Sequence, residues 1–276
     1  MKTLFTLVAL TMTTISGGAA EDVALLPDAP DALAALNASP RHGEWIDIEG
    51  PKLKASLRTW IVYPERSDKA PVVVLIHGIY GLSDWTRAAA DNLAAAGFIA
   101  LAPDLISGKA PGGGGYESLE SRDDVVALMR ELTDDEAIRQ IDAVGARGVR
   151  LPAANGKSAT MGFCWGGGQS FAYATSERDL DATIIFYGTS PEIVALSRIR
   201  APVLGLYGGD DERVNATIPA AQDRMHELGK IYEVERYDGA GHAFLSRQSE
   251  RDGANLRATE KGWPRAVEFL RKHMGE

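Results

Sequence analysis

The chain has a single cysteine, Cys164, in 276 residues, so no internal disulfide can staple the fold. It has no cluster of basic residues and no interleaving of basic with aromatic side chains. With 29 Lys and Arg against 38 Asp and Glu the formal charge is -9, which argues against a nucleic-acid partner. No apolar run reaches the roughly 20 residues that a membrane-spanning helix needs, which argues against stable membrane insertion. The Rossmann pattern G-x-G-x-x-G and the Walker Lys-Ser/Thr are also absent, so the glycine-rich turns give no sign of a nucleotide cofactor.

What is present is an ordinary globular composition, 45% hydrophobic and 24% charged, enough for one large α/β core. Residues 1–20 begin Met1-Lys2, run through Leu4-Phe5-Thr6-Leu7-Val8-Ala9-Leu10 and end Gly17-Gly18-Ala19-Ala20 before Glu21-Asp22. That is the pattern of a signal peptide, so the mature chain is expected to be periplasmic or secreted. Residues 21–43 read as an N-terminal lead segment and residues 44–276 as the folded domain. Export makes the lone thiol informative, because an oxidising compartment usually employs cysteines in pairs. A single thiol kept there is either buried and inert or retained for chemistry.

Hydrophobic periodicity predicts eight strands: Glu44 to Ile48, Leu57 to Tyr63, Pro71 to Ile76, Phe98 to Ala102, Ser158 to Phe163, Thr183 to Tyr187, Val203 to Tyr207 and Ile231 to Tyr237. The run Pro71-Val72-Val73-Val74-Leu75-Ile76 suits a central strand buried on both faces. Ser83 or Asp84 can cap a helix ending at Gly97, and the next strand follows at once. That βαβ unit implies a largely parallel sheet flanked by helices. Asn155-Gly156 reads as a turn, Thr133-x-x-Glu136 as a capping box, and Lys109 to Gly115, with glycine throughout 112–115, as a mobile flap or a solvated connection.

The chemistry gathers at Gly162-Phe163-Cys164-Trp165-Gly166-Gly167, between a buried strand and a helix. A nucleophile on a sharp strand-to-helix turn needs small neighbours two positions away on either side, here Gly162 and Gly166. The Trp165 N–H then points where an oxyanion would form. The bland alternative is a small buried hydrophobe in a structural turn. Of five histidines, His242 alone sits in a glycine-flanked loop directly after the last strand, where it can reach the turn as a base. The loop after Val203 to Tyr207 supplies a carboxylate, Asp211 for preference, with its neighbour Asp210 left open.

The order nucleophile, acid, histidine is that of the α/β-hydrolases. Through Gly162-Phe163-Cys164-Trp165-Gly166-Gly167, Gly208-Gly209-Asp210-Asp211 with Val214, and Gly239-Ala240-Gly241-His242-Ala243-Phe244, the chain resembles the dienelactone hydrolase family. That resemblance implies hydrolysis of a small-molecule lactone or ester by a Cys164-His242-Asp211 triad, through an acyl-thioester and without metal or cofactor. It also implies an oxyanion hole of the Ile79 and Trp165 amides. Candidate substrate contacts are Tyr80, Tyr116, Phe244 and Arg247.

The sequence departs from the family at two places. Gly78 stands where the family often has a glutamate that engages the resting thiol, so Cys164 is expected to rest as a thiolate paired with His242. Ser246 stands where the family places an arginine, with Arg247 one step later. The competing functions are a thioesterase or general carboxylesterase on the same scaffold, and a non-catalytic thiol redox or binding protein.

Overall fold

The computed structural model describes residues 23–177 and 179–275, so the stretch 1–20 read as a signal peptide lies outside the described residues. The strands are β1 (Gly43–Ile48), β2 (Leu57–Val62), β3 (Ala70–Ile76), β4 (Ile99–Pro103), β5 (Ala154–Phe163), β6 (Ala182–Phe186), β7 (Val203–Gly208) and β8 (Tyr232–Tyr237). They form one sheet in the order β1-β2-β4-β3-β5-β6-β7-β8. β2 runs antiparallel to β1 and β4, and every other pairing is parallel. The expected α/β class, mostly parallel with flanking helices, is the one observed. β3 is buried along its whole length, as its unbroken apolar run requires.

One local expectation gives way. Asn155-Gly156 lies inside β5 instead of preceding it, and the register against β3 slips between Ala70 and Val72. Gly156 adopts φ +92°, and the Asn155 side chain accepts the Lys157 N–H at 2.9 Å. Turn chemistry is therefore used here to make a bulge within a strand.

The helices are α1 (Ala32–Ala38), α2 (Asp84–Ala95), α3 (Arg122–Glu131), α4 (Asp134–Gly148), α5 (Trp165–Ala174), α6 (Glu212–Asn215), α7 (Ile218–Glu227) and α8 (Ala254–Met274). α1, α2 and α8 cover one face of the sheet around Leu93, Trp263 and Phe269. α3, α4, α5 and α7 cover the other around Ile141, Phe171 and Met225. The Thr133 hydroxyl caps α4 by accepting the Glu136 N–H, but Glu136 turns away to Lys54 and Lys109, so only half of the expected capping box forms.

The lead segment belongs to this body. Leu26 is 2% exposed, a burial that contributes about 2 kcal/mol. Gln248 donates its side-chain amide to the Leu26 carbonyl at 2.9 Å, and Trp85 donates its indole N–H to Pro27 at 3.1 Å. Asp28 accepts the backbone N–H groups of Gln248 and Ser249. Residues 26–38 thereby tie the start of α2 to the loop that precedes α8.

Because β3 and β5 to β8 are parallel, their carboxyl ends share one rim. The loops that leave it carry Gly78-Ile79, Cys164, Asp211 and His242.

Candidate active site

Cys164 ends β5 and begins α5 with φ 57° and ψ −118°, a conformation that few side-chain-bearing residues adopt. Its neighbours explain how the turn is held. A Cβ at Gly162 would lie 1.9 Å from the Gly166 oxygen, and one at Gly166 would lie 2.2 Å from the Ile76 oxygen. Only glycine lets the strand, the turn and β3 approach this closely. The turn lifts the thiol above the sheet, partly buried and facing the rim.

His242 brings Nε2 to 2.9 Å from the Cys164 sulfur and Nδ1 to 2.5 Å from Asp211 Oδ2. Asp211 is 7% exposed, and its other oxygen accepts the Val214 N–H, so the carboxylate is fixed on both sides. Asp210 points the opposite way, to Arg251 at 2.7 Å, with both side chains about half exposed. Of the two acids left open in the sequence, Asp211 is the one against the imidazole.

The two loops are pressed together. Gly208 has no room for a Cβ beside the Gly241 oxygen, Asp210 donates its N–H to the Ala240 carbonyl at 3.0 Å, and Asn255 accepts the Gly241 N–H at 3.0 Å.

Burial alone would raise the Cys164 thiol pKa. The hydrogen bond and charge of His242, together with the backbone amides of Trp165 and Ile79 on the sulfur, outweigh it and leave the pKa lowered. For His242 burial would favour the neutral ring, yet Cys164 and Asp211 raise its pKa. Both shifts favour a thiolate beside an imidazolium. The amides of Ile79 and Trp165 thus act on the same sulfur from the loops after β3 and β5.

A cleft of about 720 Å³ opens over the thiol, walled by Tyr80, Trp85, Tyr116, Arg122, Phe163 and Tyr187 among others. Tyr80 and Tyr116 therefore line the space as expected, and the Arg122 guanidinium stacks 3.3 Å over the Tyr80 ring.

Two other expected contacts are corrected. Phe244 is 0% exposed and packs against Phe186, Tyr187 and Tyr237, because the chain turns inward after His242 and spends the ring on the core. Arg247 lies outside the cleft lining, and its guanidinium faces Glu250 at 3.8 Å.

The glycine-rich loop is anchored. Tyr116 donates its N–H to the buried Asp104 carboxylate at 2.7 Å, and a Cβ at Gly115 would sit 2.0 Å from that same oxygen.

Two residues around His242 were not found by sequence reasoning. Tyr187, buried at φ 42°, sets its ring edge-on to His242 with centroids 5.2 Å apart. Asn255, 1% exposed, also donates to the Arg247 carbonyl at 2.7 Å and so braces both sides of the His242 turn. The signal for Tyr187 was its place at the carboxyl end of β6. Asn255 has none beyond being a polar residue at the start of an amphipathic helix. Among the described residues, no group of three or more His, Cys, Asp or Glu side chains could hold a metal, and no helix is long and apolar enough to cross a membrane.

Comparison with known proteins places this geometry in context. The model of the dienelactone hydrolase family matches residues 57–274. A protein of Saccharolobus solfataricus named "Putative carboxymethylenebutenolidase" is 32% identical over 262 residues, covering 82% of this chain and 96% of that protein. A Bradyrhizobium protein named "Probable 2-oxo-3-(5-oxofuran-2-ylidene)propanoate lactonase" is 26% identical over 246 residues, covering 84% of this chain and 94% of that protein. Among solved structures, one titled as a putative dienelactone hydrolase from Klebsiella pneumoniae superposes with a TM-score of 0.71 at 23% identity, covering 83% of this chain and 98% of that one. At that identity the likeness speaks for a shared fold.

Proposed function

The chain belongs to the dienelactone hydrolase family, and from that premise we propose that it cleaves a carboxylic ester or lactone by a Cys164-His242-Asp211 triad. The observation that carries this reading is the unbroken line from the Asp211 carboxylate through the His242 ring to the Cys164 sulfur. Hydrolysis of lactones or esters is the activity of the family; the residues and intermediate are the proposal.

In the first half-reaction the Cys164 thiolate attacks the carbonyl carbon and a C–S bond forms. The carbonyl oxygen takes the negative charge, and the Ile79 and Trp165 N–H groups donate to it. Collapse breaks the bond to the leaving oxygen, which takes the proton from the His242 imidazolium. In a lactone that alcohol stays tethered to the acyl group. In the second half-reaction His242 takes a proton from water, the resulting hydroxide adds to the thioester carbonyl, and the C–S bond breaks. The thiolate returns and the acid product leaves. Asp211 holds the ring in the orientation that presents Nε2 to the sulfur and stabilises its charged form. No metal or organic cofactor enters the cycle.

A substrate carboxylate would meet Arg87 or Arg122, which line the cleft, before Arg247, which faces Glu250. A panel of a small lactone, an aryl ester and an acyl thioester, assayed with the native chain and with Cys164→Ala, tests the reading. Turnover of the lactone or aryl ester that vanishes in Cys164→Ala supports it. Preference for the thioester makes the protein a thioesterase, and no turnover of any, with reversible oxidation of Cys164, makes it a thiol sensor.

Export is the second part of the proposal, resting on the pattern of residues 1–20. N-terminal sequencing of natively expressed protein should find a mature start near Glu21 outside the cytoplasm. An intact Met1 on cytoplasmic protein would sink it.

A further inference from the structure

His77 is buried, 0% exposed, at the end of β3, and the triad makes no use of it. Its two ring nitrogens have different partners. The backbone N–H of Leu105 lies 3.2 Å from Nε2, and the carbonyl oxygen of Gly78 lies 2.9 Å from Nδ1.

These partners fix the tautomer. A backbone N–H can only donate, so Nε2 must be the bare acceptor, and the proton sits on Nδ1, which donates to Gly78. Burial holds the pKa of His77 down to about 4, so the ring is neutral at ordinary pH and carries that one proton.

The Gly78 carbonyl also accepts the Gly81 N–H at 3.1 Å. That carbonyl and the Ile79 N–H belong to one planar trans peptide and point in opposite directions. Whatever fixes the oxygen therefore fixes the N–H, which here is aimed at the Cys164 sulfur. Hydrogen bonds to the oxygen also polarise the peptide and strengthen its N–H as a donor.

The other hole-forming peptide is held in the same manner. The Cys164 carbonyl, which shares its peptide with the Trp165 N–H, accepts the N–H groups of Gly167 at 3.0 Å and Gly168 at 3.2 Å. Those two donors come from the first turn of α5. On the Ile79 side no helix supplies the pair: the Gly81 N–H gives one donor and the His77 imidazole the other.

We propose that His77 is a positioning residue of the oxyanion hole, its Nδ1–H holding the Gly78 carbonyl so that the Ile79 N–H of the same peptide meets the developing oxyanion. This rests on the function proposed above, in which the hole faces an acyl group on Cys164. His77 touches no substrate, and its effect passes entirely through one peptide plane.

The test compares His77→Asn with His77→Gln in the full chain. The Asn amide nitrogen reaches the place of Nδ1 and can donate to the Gly78 oxygen. The Gln amide reaches the place of Nε2 and leaves that oxygen without its side-chain donor. His77→Gln is expected to lower kcat by about tenfold to a hundredfold, up to the loss of one hole donor, with KM within about threefold of wild type. It should weaken by the same factor an aldehyde inhibitor, whose adduct with the thiolate places an oxygen in the hole. His77→Asn should recover most of both losses. Equal kcat and equal aldehyde affinity in the two variants and the wild type would overturn the proposal.

Should neither variant fold, nitrogen-15 NMR of the wild-type histidines decides. A neutral His77 with its proton on Nδ1 is expected, and a proton on Nε2 overturns the assignment. A Cys164→Ala control separates the two readings, since turnover that survives it counts against the proposed function and not against the role of His77.

Discussion

At Gly162 and Gly166 an added Cβ would strike backbone oxygens at 1.9 and 2.2 Å, whereas at Gly78, across the same sulfur, it would meet the Cys164 Cβ and the Phe163 oxygen at 3.4 Å. The turn that carries the nucleophile is thus closed to any side chain, and the loop that faces it has space for one. The first is fixed by backbone meeting backbone, which evolution of side chains cannot adjust. The second is held by side chains and can be retuned, so differences among such enzymes are expected to collect on the Gly78 side.

The largest effects should come from emptying the fixed side of its chemistry. Cys164→Ala, His242→Ala and Asp211→Ala should each lower kcat/KM by several powers of ten. Double replacements should cost little more than single ones, because the three act as a unit. Steady-state kinetics on an aryl ester reads this directly, and additive losses would dissolve the unit.

Next in size is the closed turn itself. Gly162→Ala should destabilise the protein by upwards of about 3 kcal/mol, since the obstacle is backbone that has nowhere to go. Gly78→Ala should stay within about 1 kcal/mol. Thermal unfolding of the two variants side by side tests the contrast, and similar melting temperatures would erase it.

A smaller effect concerns the thiol at rest. The Cys164 pKa is lowered and the His242 pKa raised, and both shifts favour the ion pair. Falling pH ends it by protonating the thiolate, rising pH by deprotonating the imidazolium. Iodoacetamide should therefore modify the ligand-free protein with a midpoint below the free-cysteine value of about 8.5. In His242→Ala the hydrogen bond and charge that lower the thiol pKa are removed, and the midpoint should move upward. Gly78→Glu, which uses the open space to set a carboxylate beside the sulfur, should slow modification near neutral pH. A midpoint at the free value in the native protein, unmoved by His242→Ala, would refute the resting ion pair.

The smallest change is expected at Asp210. Its pairing with Arg251 is half exposed and is worth less than about 1 kcal/mol, so Asp210→Ala should alter kcat/KM by less than about threefold.

The sequence makes some of this legible and hides the rest for identifiable reasons. Eight apolar runs announce eight strands because a parallel sheet buried on both faces leaves little choice of residue. Gly162, Cys164 and Gly166 are readable because steric demand at that turn admits no substitute. Phe244 and Arg247 were misplaced because sequence distance from His242 does not report direction, and φ 62° at Ala243 swings the chain into the core. His77 has no sequence signal as a base, and its use of both ring nitrogens depends on Leu105, contributed by the neighbouring strand's end. Contacts of that kind have no local pattern.

The N-terminal tie has a consequence in time. Asp28 meets Gln248 across 220 positions of sequence, so that contact cannot form until nearly the whole chain has been synthesised, although Pro27 meets Trp85 much earlier. At a synthesis rate of about 5–20 residues per second, that wait is roughly 11 to 44 s. His242 arrives on the same schedule. The nucleophile is therefore made well before its base, and the ribosome releases a chain whose site has only just become able to close. Under the export proposed above, that delay leaves no finished body to be undone.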